Sequence, residues 1–165
     1  MHQHSLPSRR SALLGTVAAL AAFAAPGIAA PKARIPMELW KDPSCGCCQD
    51  WVDYMEKNGF AVTVHDQGNS AVRARLGIPP RLGSCHTALV GGYAVEGHVP
   101  AADVHRLLAQ KPQAIGIAAP GMPIGSPGMD GPEYQGRKNA YDVLLITRNL
   151  MNSDVSTRVF TSYRG

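Results

Sequence analysis

The stretch SCGCCQDW, residues 44–51, sets Cys45, Cys47 and Cys48 within four positions, and a fourth cysteine, Cys85, stands beside His86. Thiolates are both nucleophiles and soft metal ligands, so two chemistries compete for them. Cys45 and Cys48 have the CxxC spacing that permits an intramolecular disulfide, with Cys45 as nucleophile and Cys48 as resolving thiol. Cys47 complicates that use, because an adjacent third thiol can attack the disulfide and scramble it. Metal binding gains from it instead. Thiolates bridge several soft monovalent ions, and three sulfurs on one turn suit a multinuclear site better than the four corners of one zinc tetrahedron. The two separated cysteine pairs usual for structural zinc are absent. Thiolates with thioether and imidazole nearby favour Cu(I).

Four further side chains are candidate ligands or supports of such a site. His86 and His98 bracket an apolar hairpin, and a hairpin brings its two ends together. Met122 and Met129 lie in the similar phrases PGMP and PGMD and offer thioether sulfur. His65 and His105 each stand alone on their elements and read as hydrogen-bonded surface residues. Trp51 reads as core.

The elements that must position these groups follow from periodicity. RIPMELWKDP, residues 34–43, reads as a strand with Ile35, Met37 and Leu39 on one face, ended by Asp42 and Pro43. Cys48, Trp51, Val52 and Met55 fall at i, i+3, i+4 and i+7, an apolar helical stripe stopped by Asn58-Gly59. The cysteines therefore occupy a strand-to-helix turn and the first helical turn, where unpaired N–H groups and the helix dipole favour a thiolate at Cys45. FAVTVHD (60–66) alternates as a second strand, a short helix over Ser70–Leu76 ends at Gly77, and residues 85–99 form a hairpin around Gly91-Gly92. A helix over Ala101–Gln110 follows Pro100. The order β-α-β-α-β-β-α, with CxxC at the first helix N-terminus, predicts an α/β chain with a thioredoxin-like arrangement. Residues 112–132 are so dense in proline and glycine that no regular element is expected, and 112–140 reads as a long Gly/Pro/Met loop. YDVLLIT (141–147) and VSTRVFTSY (155–163) predict an added C-terminal β-hairpin.

Residues 1–30 carry Arg9 and Arg10, then the apolar run Ala12–Ala25, then small residues, and no acidic residue. They read as an export signal cleaved between about Ala24 and Ala30, by the twin-arginine or the general secretory route, leaving residues 31–165 as one domain. The run is shorter than the roughly 20 residues a span needs, so no membrane span is expected after cleavage. The formal charge of +4 shrinks with the signal to 14 basic against 12 acidic residues, which removes the main support for nucleic-acid binding. An oxidising periplasm permits disulfides and makes four unpaired thiols without a role unexpected.

CGCCQDW, SCHTALVGGYAVEGHVPAADVHRLL and GIAAPGMPIGSPGM, in that order, resemble the CopG-like family of periplasmic copper-resistance proteins, a CxCC family long without an assigned function. The likeness runs over residues 36–163. It implies a thioredoxin-like domain binding copper through a cysteine-bridged cluster, with a role in copper handling that extends to Cu(I)/Cu(II) interconversion, beside other periplasmic copper-resistance proteins or an electron-transfer partner. The family's CxCC falls on Cys45, Cys47 and Cys48, its later Cys-His on Cys85 and His86, and the phrase EGHVP brings His98 near. Whether the chain turns over as a copper oxidoreductase is left open by the motif. A thiol-disulfide oxidoreductase working through Cys45 and Cys48, and a one-copper metallochaperone, remain as alternatives.

Overall fold

The computed structural model describes residues 33–149, 151 and 153–165; the export signal read at residues 1–30 lies outside the described residues. Among the described residues, seven strands form one mixed sheet in the order β2-β1-β3-β4-β5-β6-β7. They are β1 (Ile35–Lys41), β2 (Phe60–His65), β3 (His86–Val90), β4 (Tyr93–Glu96), β5 (Gly116–Ala118), β6 (Tyr141–Arg148) and β7 (Val155–Tyr163). The α-helices among the described residues are α1 (Gly46–Lys57), α2 (Ser70–Leu76) and α3 (Ala101–Gln110). Strands β1 and β2 run parallel, as do β4 and β5, and the other pairings are antiparallel.

The alternation of strand side chains divides the buried residues between two faces. Val95, Ile117 and Leu145 share a core with Trp51, Val52 and Met55 of α1 and with Val104 and Leu107 of α3. Their chain neighbours Ala94, Ala118 and Ile146 point the other way, onto Ile78 and Leu82. Each fully buried Val or Met contributes about 1.5–3 kcal/mol, and with Trp51 also buried, Val52 and Met55 hold the cysteine-bearing helix firmly against the sheet. The buried set on α1 is Cys48, Trp51, Val52 and Met55, the stripe expected from spacing.

The reading of residues 112–132 as devoid of regular structure is corrected by β5. Ile115 accepts from the Ala94 amide at 2.9 Å and donates to the Ile146 carbonyl at 2.8 Å, so the segment is held between two neighbours. Tertiary pairing overrides the local breakers here. Gly116 is itself required, because a Cβ there would lie 1.8 Å from the Ala94 carbonyl oxygen. The segment from Pro120 to Asn139 is irregular apart from a 3-10 turn at Pro132–Tyr134. The C-terminal hairpin continues the same sheet, β6 pairing with β5 and, through a register shift at Val143/Leu144, with β7. Among the described residues no helix is long and apolar enough to cross a membrane.

Candidate metal centre

The register of β1 with β3 brings the cysteine segments together. Lys41, the last residue of β1, pairs with His86, the first of β3, so the turn leaving β1 and the residue entering β3 share one end of the sheet. That turn is fixed locally: Asp42 Oδ1 accepts from the Ser44 amide at 2.9 Å, and the Cys45 amide donates to the Asp42 carbonyl at 3.1 Å. Cys45 then sits at the N-cap of α1, with Cys47 and Cys48 in the first turn.

Cys45 and Cys48 are joined in a disulfide, while Cys47 and Cys85 are free. Cys47 Sγ lies 3.6 Å from Cys45 Sγ, and Cys48 Sγ lies 3.7 Å from the Cys85 carbonyl oxygen. All four sulfurs fall within 4.8 Å of one another. Cys48 is fully buried and the other three are partly exposed. The closeness of Cys47 to the disulfide is the geometry that makes scrambling a concern for a dedicated exchanger.

The hairpin carries the histidines as expected. Gly97 donates to the His86 carbonyl at 3.0 Å, and the His86 and His98 rings meet edge to face with centroids 4.9 Å apart. His98 Nδ1 donates to the Pro127 carbonyl at 2.9 Å, since a carbonyl can only accept. That leaves the Nε2 lone pair facing Cys85 Sγ at 3.1 Å, where the thiol donates. His86 Nδ1 is 3.6 Å from the same sulfur. Its ring packs on Trp51 at 4.5 Å, and its buried Nε2 has no hydrogen-bond partner among the described residues.

Burial sets the protonation of these groups. It holds His86 well below the usual imidazole value, with neighbouring His98 adding to the effect, and it lowers His98 against the opposing pull of the Pro127 carbonyl and of Asp130 and Asp50. Burial first, and Cys47 second, push the Cys85 thiol up to about 12. The centre as folded therefore presents neutral imidazoles and a protonated thiol.

Cys85 is positioned by a network that sequence reasoning missed. Glu96, fully buried on β4, accepts from Arg73 Nε at 2.9 Å and from the Ser84 amide at 2.7 Å through Oε1, and from the Thr87 hydroxyl at 2.5 Å through Oε2. Arg73 Nη2 and Asn69 Nδ2, both contributed by α2 or its N-cap, donate to the Ser84 carbonyl at 2.7 and 3.2 Å. Both backbone groups of the residue before Cys85 are thus held from α2 and β4. The one signal in the chain is a glutamate inside an otherwise apolar hairpin strand, YAVE.

The Gly/Pro loop forms the lid of the centre. Besides the Pro127 carbonyl it supplies Gly128, at φ +79°, where a Cβ would lie 2.8 Å from the Cys47 carbonyl and the Trp51 amide nitrogen. The two methionines separate. Met122, 54% exposed, stands with Cys85, Ser84 and Arg73 around an open cleft of about 390 Å³. Met129 is buried, and its Sδ accepts from the Tyr134 hydroxyl at 3.3 Å. His65 stacks on Trp40 at 4.8 Å and His105 contacts the Asn58 carbonyl at 2.9 Å, both engaged locally. A cavity of about 410 Å³ beside α1 is lined by Asp50, Asp53, Asp130 and Glu133 and by no cysteine, so thiol chemistry does not happen there.

Four sulfurs with two neutral imidazoles make a donor set that fits a soft metal ion once the Cys45–Cys48 disulfide is reduced and the thiols are deprotonated. A family described as a protein of unknown function, DUF411, matches residues 82–129. No curated protein matches the sequence. Among solved structures, one described as copper resistance protein copG, Form 1, is 42% identical, with a TM-score of 0.70 over 80% of this chain and 99% of its own. A second, Form 2 of the protein so described, is 43% identical, with a TM-score of 0.68 over 79% of this chain and 98% of its own.

Proposed function

Because this chain belongs to the copper resistance protein CopG family, we propose that it is an exported, periplasmic copper-binding protein of thioredoxin-like fold. In its reduced form Cys45, Cys47, Cys48 and Cys85 bridge several Cu(I) ions, and the chain serves copper resistance. The observation that carries this reading is the convergence of four sulfurs, from segments 37 residues apart, to within 4.8 Å. A single tetrahedral ion has no need of three sulfurs on one turn, whereas bridging thiolates do. His86 and His98 complete or tune the site, and the thioether of Met122 is the more accessible of the two methionine sulfurs.

Copper is the cargo. When bound, the ions supply one-electron chemistry, and the chain's own residues do the rest. Cys85 gives up the proton that burial holds on its sulfur, and His98 keeps its Nε2 lone pair toward the centre through the bond to Pro127. The lid excludes bulk water from Cys48 and His86, both fully buried. The four-thiolate set exists only when the Cys45–Cys48 disulfide is open, so this function is tied to a reducing partner and extends to Cu(I)/Cu(II) conversion beside other periplasmic copper-resistance proteins.

The test is an anaerobic Cu(I) titration of the fully reduced chain from residue 30 onward against a competing chelator. Saturation at several ions per chain, lost in Cys47→Ser, supports the cluster. Saturation at one ion points to a metallochaperone. A second reading, thiol-disulfide exchange, is favoured by the Cys45–Cys48 disulfide with Cys45 at a helix N-cap. No tight Cu(I) binding, together with exchange that survives or improves in Cys47→Ser, would select it.

A further inference from the structure

The donor groups fall into two sets that share one atom. Cys45, Cys47, Cys48 and Cys85 form the first, and Cys85, His86 and His98 the second, each with its ligand atoms within 4.8 Å of one another. Closing the Cys45–Cys48 disulfide withdraws two sulfurs from the first set, because a disulfide sulfur no longer carries thiolate charge. It leaves the second set untouched. We propose that the disulfide form of this protein holds one divalent copper ion on Cys85, His86 and His98, so that the state of one disulfide selects which oxidation state of copper the centre takes. The inference rests on copper being the cargo, as read above.

Three observations carry it. The separations suit a common ion: metal–sulfur and metal–nitrogen bonds of about 2.3 and 2.05 Å at trigonal or tetrahedral angles set sulfur and nitrogen roughly 3.5–3.8 Å apart. Cys85 Sγ lies 3.1 Å from His98 Nε2 and 3.6 Å from His86 Nδ1, so small shifts about an ion suffice. His98 is already oriented as a ligand, its other nitrogen donating to the Pro127 carbonyl, the support that metal-bound imidazoles ordinarily have. His86 is fully buried, and among the described residues its Nδ1, the nitrogen a shared ion would take, meets only the Cys85 thiol sulfur. Ligation through Nδ1 would replace a weak thiol contact by a metal bond, with the proton of the neutral ring on Nε2.

The identity of the ion follows from the donors. Thiolates alone select Cu(I), but two imidazoles and one thiolate are the trigonal set of cupric electron-transfer sites, and divalent copper stands highest in the affinity order for such ligands. Cys47 is the hazard to this mode, since two neighbouring thiols can each give one electron, reducing two Cu(II) to two Cu(I), losing two protons and closing a second disulfide. Its Sγ shares the four-sulfur set with Cys85.

The experiment therefore uses the protein carrying Cys47→Ser, with the Cys45–Cys48 disulfide kept closed and confirmed by mass, titrated with cupric ion alone. The expected result is one Cu(II) per chain, a visible sulfur-to-copper charge-transfer band, and nitrogen hyperfine structure from two imidazoles in the electron paramagnetic resonance spectrum. Cys85→Ser added to this background abolishes the band. His98→Gln and His86→Gln each weaken cupric affinity by about tenfold or more. Circular dichroism of each metal-free variant reports whether it folds, and the near-isosteric Cys85→Ser keeps the test decisive if a histidine variant does not. Absence of the band, its survival in Cys85→Ser, or full cupric affinity in both histidine variants overturns the proposal. If the reduced wild type takes several Cu(I) while the disulfide form takes no Cu(II), this inference alone fails. If the reverse is found, the cluster fails and the cupric site stands.

Discussion

Cys85 offers the sharpest check on the electrostatics of the centre. Burial and the neighbouring Cys47 raise its thiol from the ordinary 9.0 to about 12. Below both values the thiolate fraction falls tenfold for each unit of that shift, about a thousandfold in all. A more basic thiolate is also a better nucleophile, with a Brønsted slope of about 0.4–0.5, which returns about 15- to 30-fold. Iodoacetamide should therefore alkylate Cys85 about 30- to 60-fold more slowly at pH 8 than it alkylates the same residue in guanidinium, where the chain is unfolded and the disulfide intact. Partial burial slows reagents by itself, so the shape of the pH profile decides. In the folded, metal-free chain the rate should climb tenfold per pH unit past pH 10, whereas the unfolded chain should level off near 9, the ordinary value. Site-resolved mass spectrometry after proteolysis reads both. The reasoning is refuted by rapid alkylation that is flat from pH 6 upward, the sign of a thiolate–imidazolium pair between Cys85 and His98 across their 3.1 Å contact. We expect the neutral pair, because burial disfavours both charges and pushes each group toward its uncharged form.

Three further outcomes follow from the same geometry. Glu96→Gln removes the charge that Arg73, Ser84 and Thr87 converge upon and should lower stability in urea by about 2–4 kcal/mol; a loss under about 1 kcal/mol would mean the network contributes little. Gly128→Ala forces a Cβ against the Cys47 carbonyl and the Trp51 amide at positive φ, at a cost of about 2–4 kcal/mol. Its lid should lift, and the hydrogen-bonded Nδ1 proton of His98 should vanish from the NMR spectrum; persistence of that signal at full intensity would show that the lid does not depend on this contact. In acid, His86 and His98 bind fewer protons folded than unfolded, so the stability they contribute is present above pH 6.5 and lost as pH falls through their lowered values. Glu96, which burial raises above 4.5, acts in the opposite sense and gains stability as pH falls through its own value. The melting temperature should therefore decline below about pH 6.5, less steeply in His98→Gln, and a melting temperature that holds or rises from pH 6.5 to 5 would contradict this.

How much of this was legible depended on distance along the chain. Cys48, Trp51, Val52 and Met55 announce α1 by spacing alone, and the stops at Asn58-Gly59 and Gly77 mark where α1 and α2 end. The meeting of His86 with His98 follows from a hairpin, a local rule. By contrast β5 is invisible to local reading, because three residues between breakers become a strand only when β4 and β6 supply partners. The hold of Glu96 and Arg73 on Ser84 joins residues 12 and 11 positions away through buried hydrogen bonds, which no periodicity encodes. The lid belongs to the same class: a proline carbonyl and a glycine acquire roles only from what they touch, so Pro127 and Gly128 went unremarked while the more conspicuous Met129 turned out to be held by Tyr134.

Trp51 gives the centre an optical handle. Its indole donates to the Val99 carbonyl at 2.9 Å and lies 4.5 Å from the His86 ring, one helical turn after Cys48. The chain has two tryptophans, and the other, Trp40, stacks on His65 at 4.8 Å. In a Trp40→Phe chain a single tryptophan would rest against the His86 ring, proposed above as a copper ligand, its orientation fixed at the far end by the Val99 bond. Bound copper would quench that emission, so the occupancy of the pocket can be followed in real time, without dye or label, as a change in the protein's own light.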